Sequence, residues 1–85
     1  MKVFVPSPLF SYTGRSEVIA SGGTLAEVLR DLDQQYPGIR FRMIDEQERV
    51  RPHIRIFVSG EQVFALDRGI NDRDVVRVIQ ALSGG

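Results

Sequence analysis

The chain of 85 residues contains no cysteine, no tryptophan, one histidine and one lysine. Without cysteine, a disulfide framework and a cysteine nucleophile are excluded. Since reducing compartments suit such a chain, we expect it in the cytoplasm. His53 has no further ligands at suitable spacing, so the sequence predicts no metal site. No apolar run approaches the roughly 18 residues of a membrane-spanning helix, so no membrane association is expected.

The charges balance, because 11 basic and 11 acidic residues give a formal net charge of zero. A nucleic-acid partner normally requires a basic excess, so none is expected. Arginines concentrate between positions 40 and 55, where acidic residues partly offset them. A solvated, self-paired surface is the simplest interpretation. The alternative is a docking surface for an acidic partner protein, because arginine contacts carboxylates in a planar, bidentate manner.

The first half of the chain predicts a hairpin followed by a helix. Residues 2–5 and 15–20 alternate as two antiparallel strands joined by a loop. Thr24 and Glu27 form a capping box that begins the helix, and Tyr36 ends it because a proline follows. One apolar stripe at helical spacing is expected to contact the sheet, and it consists of Leu25, Val28, Leu29 and Leu32.

The second half predicts further strands around the same core. Residues 38–52 are irregular with one short helical turn, and their expected anchors are Ile39, Phe41, Met43 and Ile44. Strands are predicted at 54–58, at 63–66 after a turn at 59–62, and at 75–79. The order indicates one α+β domain spanning residues 1–85, with a mixed sheet packed on one main helix. The β-grasp (ubiquitin-like) topology is consistent with this order of strands and helix, and in it the last strand runs parallel to the first.

The last strand leads into a tail of small residues, 81–85, which we expect to be flexible and which ends in Gly84 and Gly85. Glycine lacks a Cβ, so such a tail can enter a narrow channel. A carboxylate is a poor acyl donor, but adenylation by ATP gives it a good leaving group. A sulfur nucleophile or an amine can then attack the acyl carbon. The predicted reactive group is therefore the carboxylate of Gly85.

The sheet is covered by the helix on one face, so the other face is a candidate partner surface. Val76 and Val78 alternate with Val75 and Ile79, and the sequence leaves open which pair faces outward. Coverage by residues 38–52 is a second alternative. Besides the two terminal glycines, the residues predicted to contact partners are Phe57, Val76, Val78, Ala81, Leu82 and Ser83.

Four segments carry a resemblance to a known family: Gly23-Thr24-Leu25, Tyr36-Pro37-Gly38, Ile56-Phe57-Val58-Ser59-Gly60-Glu61 and Ala81-Leu82-Ser83-Gly84-Gly85. The chain resembles the MoaD/ThiS family of ubiquitin-like sulfur carriers from end to end. Residues 49–54 resemble the cysteine-biosynthesis branch most. The sequence departs from the family pattern at Ser59, at Asp72-Arg73-Asp74 and at Gln80.

The resemblance implies a protein cosubstrate rather than an enzyme, with no cofactor bound by this chain. A ThiF/MoeB-like adenylating enzyme would use ATP to activate Gly85, which then becomes a thiocarboxylate. A sulfur-accepting synthase would take the sulfur. A cysteine synthase is the preferred acceptor, and molybdopterin synthase, with this chain as its small subunit, is second. Two other classes remain open: a protein modifier conjugated through its Gly-Gly end, and a non-conjugating β-grasp interaction domain.

Overall fold

The computed structural model describes residues 1–81, in which five strands form one mixed sheet. The strands are β1 (Lys2–Phe4), β2 (Glu17–Ile19), β3 (Ile54–Val58), β4 (Glu61–Gln62) and β5 (Val75–Gln80). They lie in the order β2-β1-β5-β3-β4. β5 runs parallel to β1 and antiparallel to β3. The predicted α+β class and β-grasp topology are confirmed.

The main helix, α2 (Leu25–Gln35), begins with the predicted cap. The Glu27 backbone N–H donates to Thr24 Oγ1 at 3.2 Å, and Glu27 Oε1 accepts from the Gly23 backbone N–H at 2.8 Å. The glutamate thus reaches one residue further back than in a standard capping box. The helix ends as predicted at Tyr36. Its apolar stripe is fully buried in the core, and it consists of Leu25, Val28, Leu29 and Leu32.

The β1–β2 connection contains helical structure where the sequence predicted a loop. A 3₁₀ turn at Ser7–Leu9 leads into α1 (Phe10–Thr13). Proline at the start of the turn has the fixed φ that helices need. Gly14 then ends α1 at a φ of 71°, in the left-handed region that glycine adopts without a steric penalty. The connection is therefore compact, and it buries Leu9.

The prediction of a strand at residues 63–66 is wrong. Ser59 and Gly60 both have positive φ and make a tight turn, so the returning strand β4 is already complete at Gln62. The following segment leaves the sheet and reaches the start of α2. There the Ala26 backbone N–H donates to Leu66 O at 2.8 Å. The segment satisfies helix amides that have no partner within the helix.

The segment after α2 contains α3 (Ile39–Met43), the short helical turn expected from the sequence. Ile39, Met43 and Ile44 are fully buried, as predicted, whereas Phe41 is 56% exposed. Phe41 was wrongly predicted as an anchor, because it lies on the side of this helix opposite to Ile39 and Met43. The side chains of α2 and α3 enter one core cluster with the inward residues of the sheet.

Candidate functional site

The predicted reactive tail follows directly from the central strand of the sheet. β5 ends at Gln80, and the exposed Ala81 donates its backbone N–H to His53 O at 2.8 Å. This hydrogen bond fixes the point from which the tail sequence continues. Leu82, Ser83, Gly84 and Gly85 lie outside the described residues, and their roles stay predictions.

The prediction that Val76 and Val78 of β5 contact partners is wrong. Val76 is 0% and Val78 is 2% exposed, so neither is available as a contact on the sheet surface. Val76 lies between Val3 and Val58 in the sheet register, and all three are buried. Because neighbours directly opposite share one face, this row packs against the helices. The two valines thus belong to the core and not to a partner surface.

The opposite face of the sheet is partly exposed, and we call it the outer sheet face. It includes Phe4, Phe57, Val75, Arg77 and Ile79, because Arg77 pairs with Phe4 and with Phe57 in the register. Ile79 is 42% exposed. The Arg77 guanidinium lies 4.5 Å from the centre of the Phe4 ring, a distance that gives a cation–π attraction. Phe57, which was predicted from the sequence, does lie on this face.

A shallow groove crosses the outer sheet face. It has a volume of about 380 Å³ and is lined by Phe57, Ser59, Gly60, Val75, Arg77 and Ile79. Most of this lining is apolar, and Arg77 supplies a positive charge beside it. Such a surface fits a protein partner that presents apolar side chains with a carboxylate among them.

The sequence contained a signal for the correct face assignment. Side chains two residues apart on a strand point to the same side. Arg77 therefore shares a face with Val75 and Ile79, and an arginine is rarely buried without a partner. Its charge marks that face as the solvent side, which leaves Val76 and Val78 facing inward.

Ser59, one of the departures from the family pattern, contacts the turn that contains another, Asp72-Arg73-Asp74. Ser59 Oγ donates to Asp74 Oδ1 at 2.7 Å and accepts from the Val75 backbone N–H at 3.3 Å. The Asn71 backbone N–H donates to the other carboxylate oxygen at 2.9 Å. Hydrogen bonds from Asn71 and then Ser59 hold the pKa of Asp74 below its ordinary value, because they favour the charged form. The pair joins the β3–β4 turn to the start of β5.

Within residues 1–81, no three His, Cys, Asp or Glu side chains come close enough to hold a metal ion. His53 is half-buried, and its backbone carbonyl rather than its ring makes the contact with Ala81. None of the helices in this part of the chain has the length and apolar character needed to span a membrane.

Comparison with known proteins identifies the family. The model of the ThiS family matches residues 3–85. Sulfur carrier protein CysO of Mycobacterium tuberculosis (strain ATCC 25618 / H37Rv) is 36% identical over 89 residues, covering 98% of this chain and 96% of that protein. Small archaeal modifier protein 3 of Haloferax volcanii is 35% identical over 65 residues, covering 73% of this chain and 70% of that protein.

Solved structures give the same result. A chain in the crystal structure of the Amycolatopsis orientalis BexX/CysO complex matches with a TM-score of 0.90 at 30% identity, covering 99% of this chain and 98% of that chain. The likeness therefore extends over sequence and fold together, through the whole described domain. The chain belongs to the ThiS family of ubiquitin-like sulfur carriers.

Proposed function

We propose that this chain carries sulfur as a thiocarboxylate on Gly85 and is a cosubstrate rather than an enzyme. The observation that carries the proposal is the match to the ThiS family, which extends to Gly85 itself. The nearly full-length similarity to a sulfur carrier protein supports the same role. We further propose that the carrier acts in the cytoplasm, where its adenylating enzyme would have access to ATP.

The proposed chemistry has two steps. In the first, a ThiF/MoeB-like adenylating enzyme joins the Gly85 carboxylate to the α-phosphate of ATP, and pyrophosphate leaves. In the second, hydrosulfide (HS⁻) attacks the acyl carbon, AMP leaves, the sulfur loses its proton and a thiocarboxylate remains. The absence of a Cβ at Gly84 and Gly85 suits both steps, because a bulkier residue would obstruct a narrow active site.

The folded domain is proposed to position the start of the tail and not to catalyse the reaction. The hydrogen bond from Ala81 to His53 O ties the start of the tail to the edge of a sheet whose inner face is fully packed. The outer sheet face, with Phe57, Arg77 and Ile79, is the proposed contact surface for the adenylating enzyme and the acceptor. Ala81, Leu82 and Ser83 would then extend into the enzyme's channel.

The acceptor is proposed to be an enzyme of the cysteine synthase type, because CysO proteins combine nearly full coverage of this chain with 30% to 36% identity. Molybdopterin synthase, with this chain as its small subunit, is the second candidate. The chemically loaded carrier can be mixed with each acceptor and its substrate in turn. Loss of sulfur from the carrier with the cysteine synthase alone supports the first assignment, and loss with the other enzyme alone reverses it.

Protein modification is the second candidate function, and it is supported by the similarity to small archaeal modifier protein 3. In that reaction a lysine amine, not a sulfur nucleophile, attacks the same acyl adenylate. Digestion of proteins from the cells that make this chain distinguishes the two roles. Lysine side chains carrying a Gly85 remnant support modification, whereas their absence together with a thiocarboxylate on free carrier supports sulfur carriage.

The activation step is tested by incubating the chain with ATP, the adenylating enzyme of the same cells and a sulfur source. The intact mass is expected to rise by the exchange of one oxygen for one sulfur. A variant lacking Gly85 should stay unchanged, and Asp67→Ala, an exposed substitution outside the predicted partner contacts, should still gain sulfur. An unchanged mass of the wild-type chain counts against the proposal.

A further inference from the structure

A second concave surface lies at the edge of the sheet where β5 ends. Because β1 and β5 run parallel, the segment that follows β1 reaches the same edge as Gln80. β3 runs antiparallel to β5, so it begins at this edge, with Ile54 opposite Gln80. The topology thus gathers the start of β3, the segment after β1 and the root of the tail. We call the surface between them the tail-root groove.

The tail-root groove has a volume of about 280 Å³, and its lining consists of Pro8, Leu9, Phe41, Arg42, Arg51, His53 and Gln80. Two of these residues are arginines, which stay charged at all physiological pH values, and none is acidic. The whole chain has a net charge of zero. Positive charge is therefore concentrated at this edge although the protein as a whole is neutral.

The two arginines differ in how they are held. The Arg51 guanidinium lies 4.6 Å from the centre of the Phe41 ring, and its Nε donates to Phe41 O at 2.7 Å. Arg51 is therefore held in place before any ligand arrives. Arg42 is exposed, and its guanidinium makes no ion pair or hydrogen bond within residues 1–81. By contrast, the neighbouring Arg40 is already paired with Glu48 at 2.8 Å.

Phe41 adds an exposed aromatic surface to this positive charge. A phenylalanine that is 56% exposed, close to Pro8 and stacked with Arg51, provides an apolar platform beside the guanidinium groups. Aromatic residues and arginine are the types most enriched at the centres of protein interfaces. The combination fits a peptide segment that carries carboxylates together with an aliphatic or aromatic side chain.

We propose that the tail-root groove binds an acidic segment of the adenylating enzyme, beside the entrance of the channel that takes up the tail. The inference rests on the proposed function, because it assumes that the enzyme receives Gly85. An enzyme that encloses the tail must also face the surface around Ala81, which adjoins His53. Carboxylates there complement Arg42 and Arg51, and arginine can hold each of them through two hydrogen bonds. The outer sheet face and this groove would be contacted at the same time.

The test compares two single charge reversals, Arg42→Glu in the groove and Arg73→Glu as a control. Both residues are exposed, and Arg73 lies in the turn before β5, at the opposite edge of the sheet. The two variants have the same composition and net charge. ATP–pyrophosphate exchange by the adenylating enzyme is measured against carrier concentration, at low and at high salt, after thermal unfolding has shown that both variants fold.

Arg42→Glu is expected to raise the KM for the carrier about tenfold at low salt with little change in kcat, because it removes an attraction and adds a repulsion. The difference in KM between Arg42→Glu and the wild-type chain should become smaller as salt screens the charges. Arg73→Glu should have a KM close to that of the wild-type chain. Equal KM values for the two variants would overturn the groove assignment while leaving the proposed function intact.

Two further outcomes also decide the matter. If Arg42→Glu raises the KM for ATP at saturating carrier instead, the groove acts on nucleotide phosphates and the acidic-segment proposal fails. If the wild-type chain supports no exchange, the proposed function itself fails, and the inference falls with it. A carrier-specific rise in KM that disappears at high salt is the result that supports the proposal.

Discussion

The two faces of β5 can be tested by making one substitution at two adjacent positions, Val75→Thr and Val76→Thr. Valine and threonine have nearly the same shape and are both branched at Cβ, so cavity volume and strand preference change little. The difference is one hydroxyl group. Val76 is 0% exposed, whereas Val75 is half-buried on the outer sheet face beside water. The pair therefore reports which side chain faces the core.

The magnitude follows from the cost of burying that hydroxyl. A hydroxyl moved into an apolar core without full hydrogen bonding costs about 1–3 kcal/mol in mutational data. Val76→Thr should therefore lower the free energy of unfolding by about 2 kcal/mol, which in a domain of this size lowers Tm by roughly 8–16 °C. Val75→Thr should stay within about 0.5 kcal/mol of the wild-type chain, as surface substitutions usually do.

Urea denaturation followed by circular dichroism measures both variants, and unchanged m-values would show that the same surface is exposed on unfolding. The KM for the carrier should respond in the opposite order to the stability, with the larger effect at Val75. Val75→Thr makes the outer sheet face more polar and should raise the KM for the carrier in the adenylation assay, whereas folded Val76→Thr should not. Equal loss of stability at both positions, or a larger loss at Val75, would refute the assignment of the faces.

Two more predictions concern stability. Gly22→Ala should lower the free energy of unfolding by about 1–3 kcal/mol, because Gly22 has a φ of +155° and an added Cβ would lie 2.7 Å from the Val28 backbone nitrogen. The control is Gly69→Ala, where an added Cβ meets open space, and its free energy of unfolding in the same urea titration should change little. Equal losses for the two variants would contradict the predicted clash at Gly22. The hydrogen bonds from Asn71 and Ser59 lower the pKa of Asp74, so its carboxylate stabilises the fold above the ordinary aspartate pKa of about 3.9, and this contribution is lost as the pH falls through the folded pKa. The free energy of unfolding measured across the acid range should therefore fall less steeply for Asp74→Asn than for the wild-type chain. Identical slopes would argue against the two hydrogen bonds that Asp74 accepts from Asn71 and Ser59.

Local sequence signals predicted α2 and the strand order well. The cap at Thr24 and the stop before Pro37 are set by residues within one helical turn, so they can be identified without knowing the fold. The hydrophobic run of β5 likewise predicted a central strand, and the order of elements then favoured the β-grasp topology. In each of these elements local preference and tertiary packing agree.

The errors arose where tertiary contacts replaced local preference. Residues 63–66 have the composition of a strand, but Leu66 O accepts from the first turn of α2 instead of from a neighbouring strand. Phe41 is apolar yet exposed, because Ile39 and Met43 already occupy the buried side of α3. Val76 and Val78 were misassigned although Arg77 between them marked the solvent side. The arginines between positions 40 and 55 offered a docking surface for an acidic partner as one alternative, but the shape of the tail-root groove could not be predicted, because it joins segments that are distant in sequence.

Sulfur on Gly85 is tested most directly by purifying the chain from the cells that make it and fragmenting the intact protein in a mass spectrometer. We expect a population in which one oxygen is replaced by sulfur, with the change confined to the fragment that contains Gly85. Treatment with the acceptor and its substrate should transfer the sulfur, and cleavage of the acyl bond by water should return that population to the carboxylate. A chain that never carries sulfur, or sulfur located on any other residue, would contradict the assignment of Gly85 as the sulfur-carrying residue.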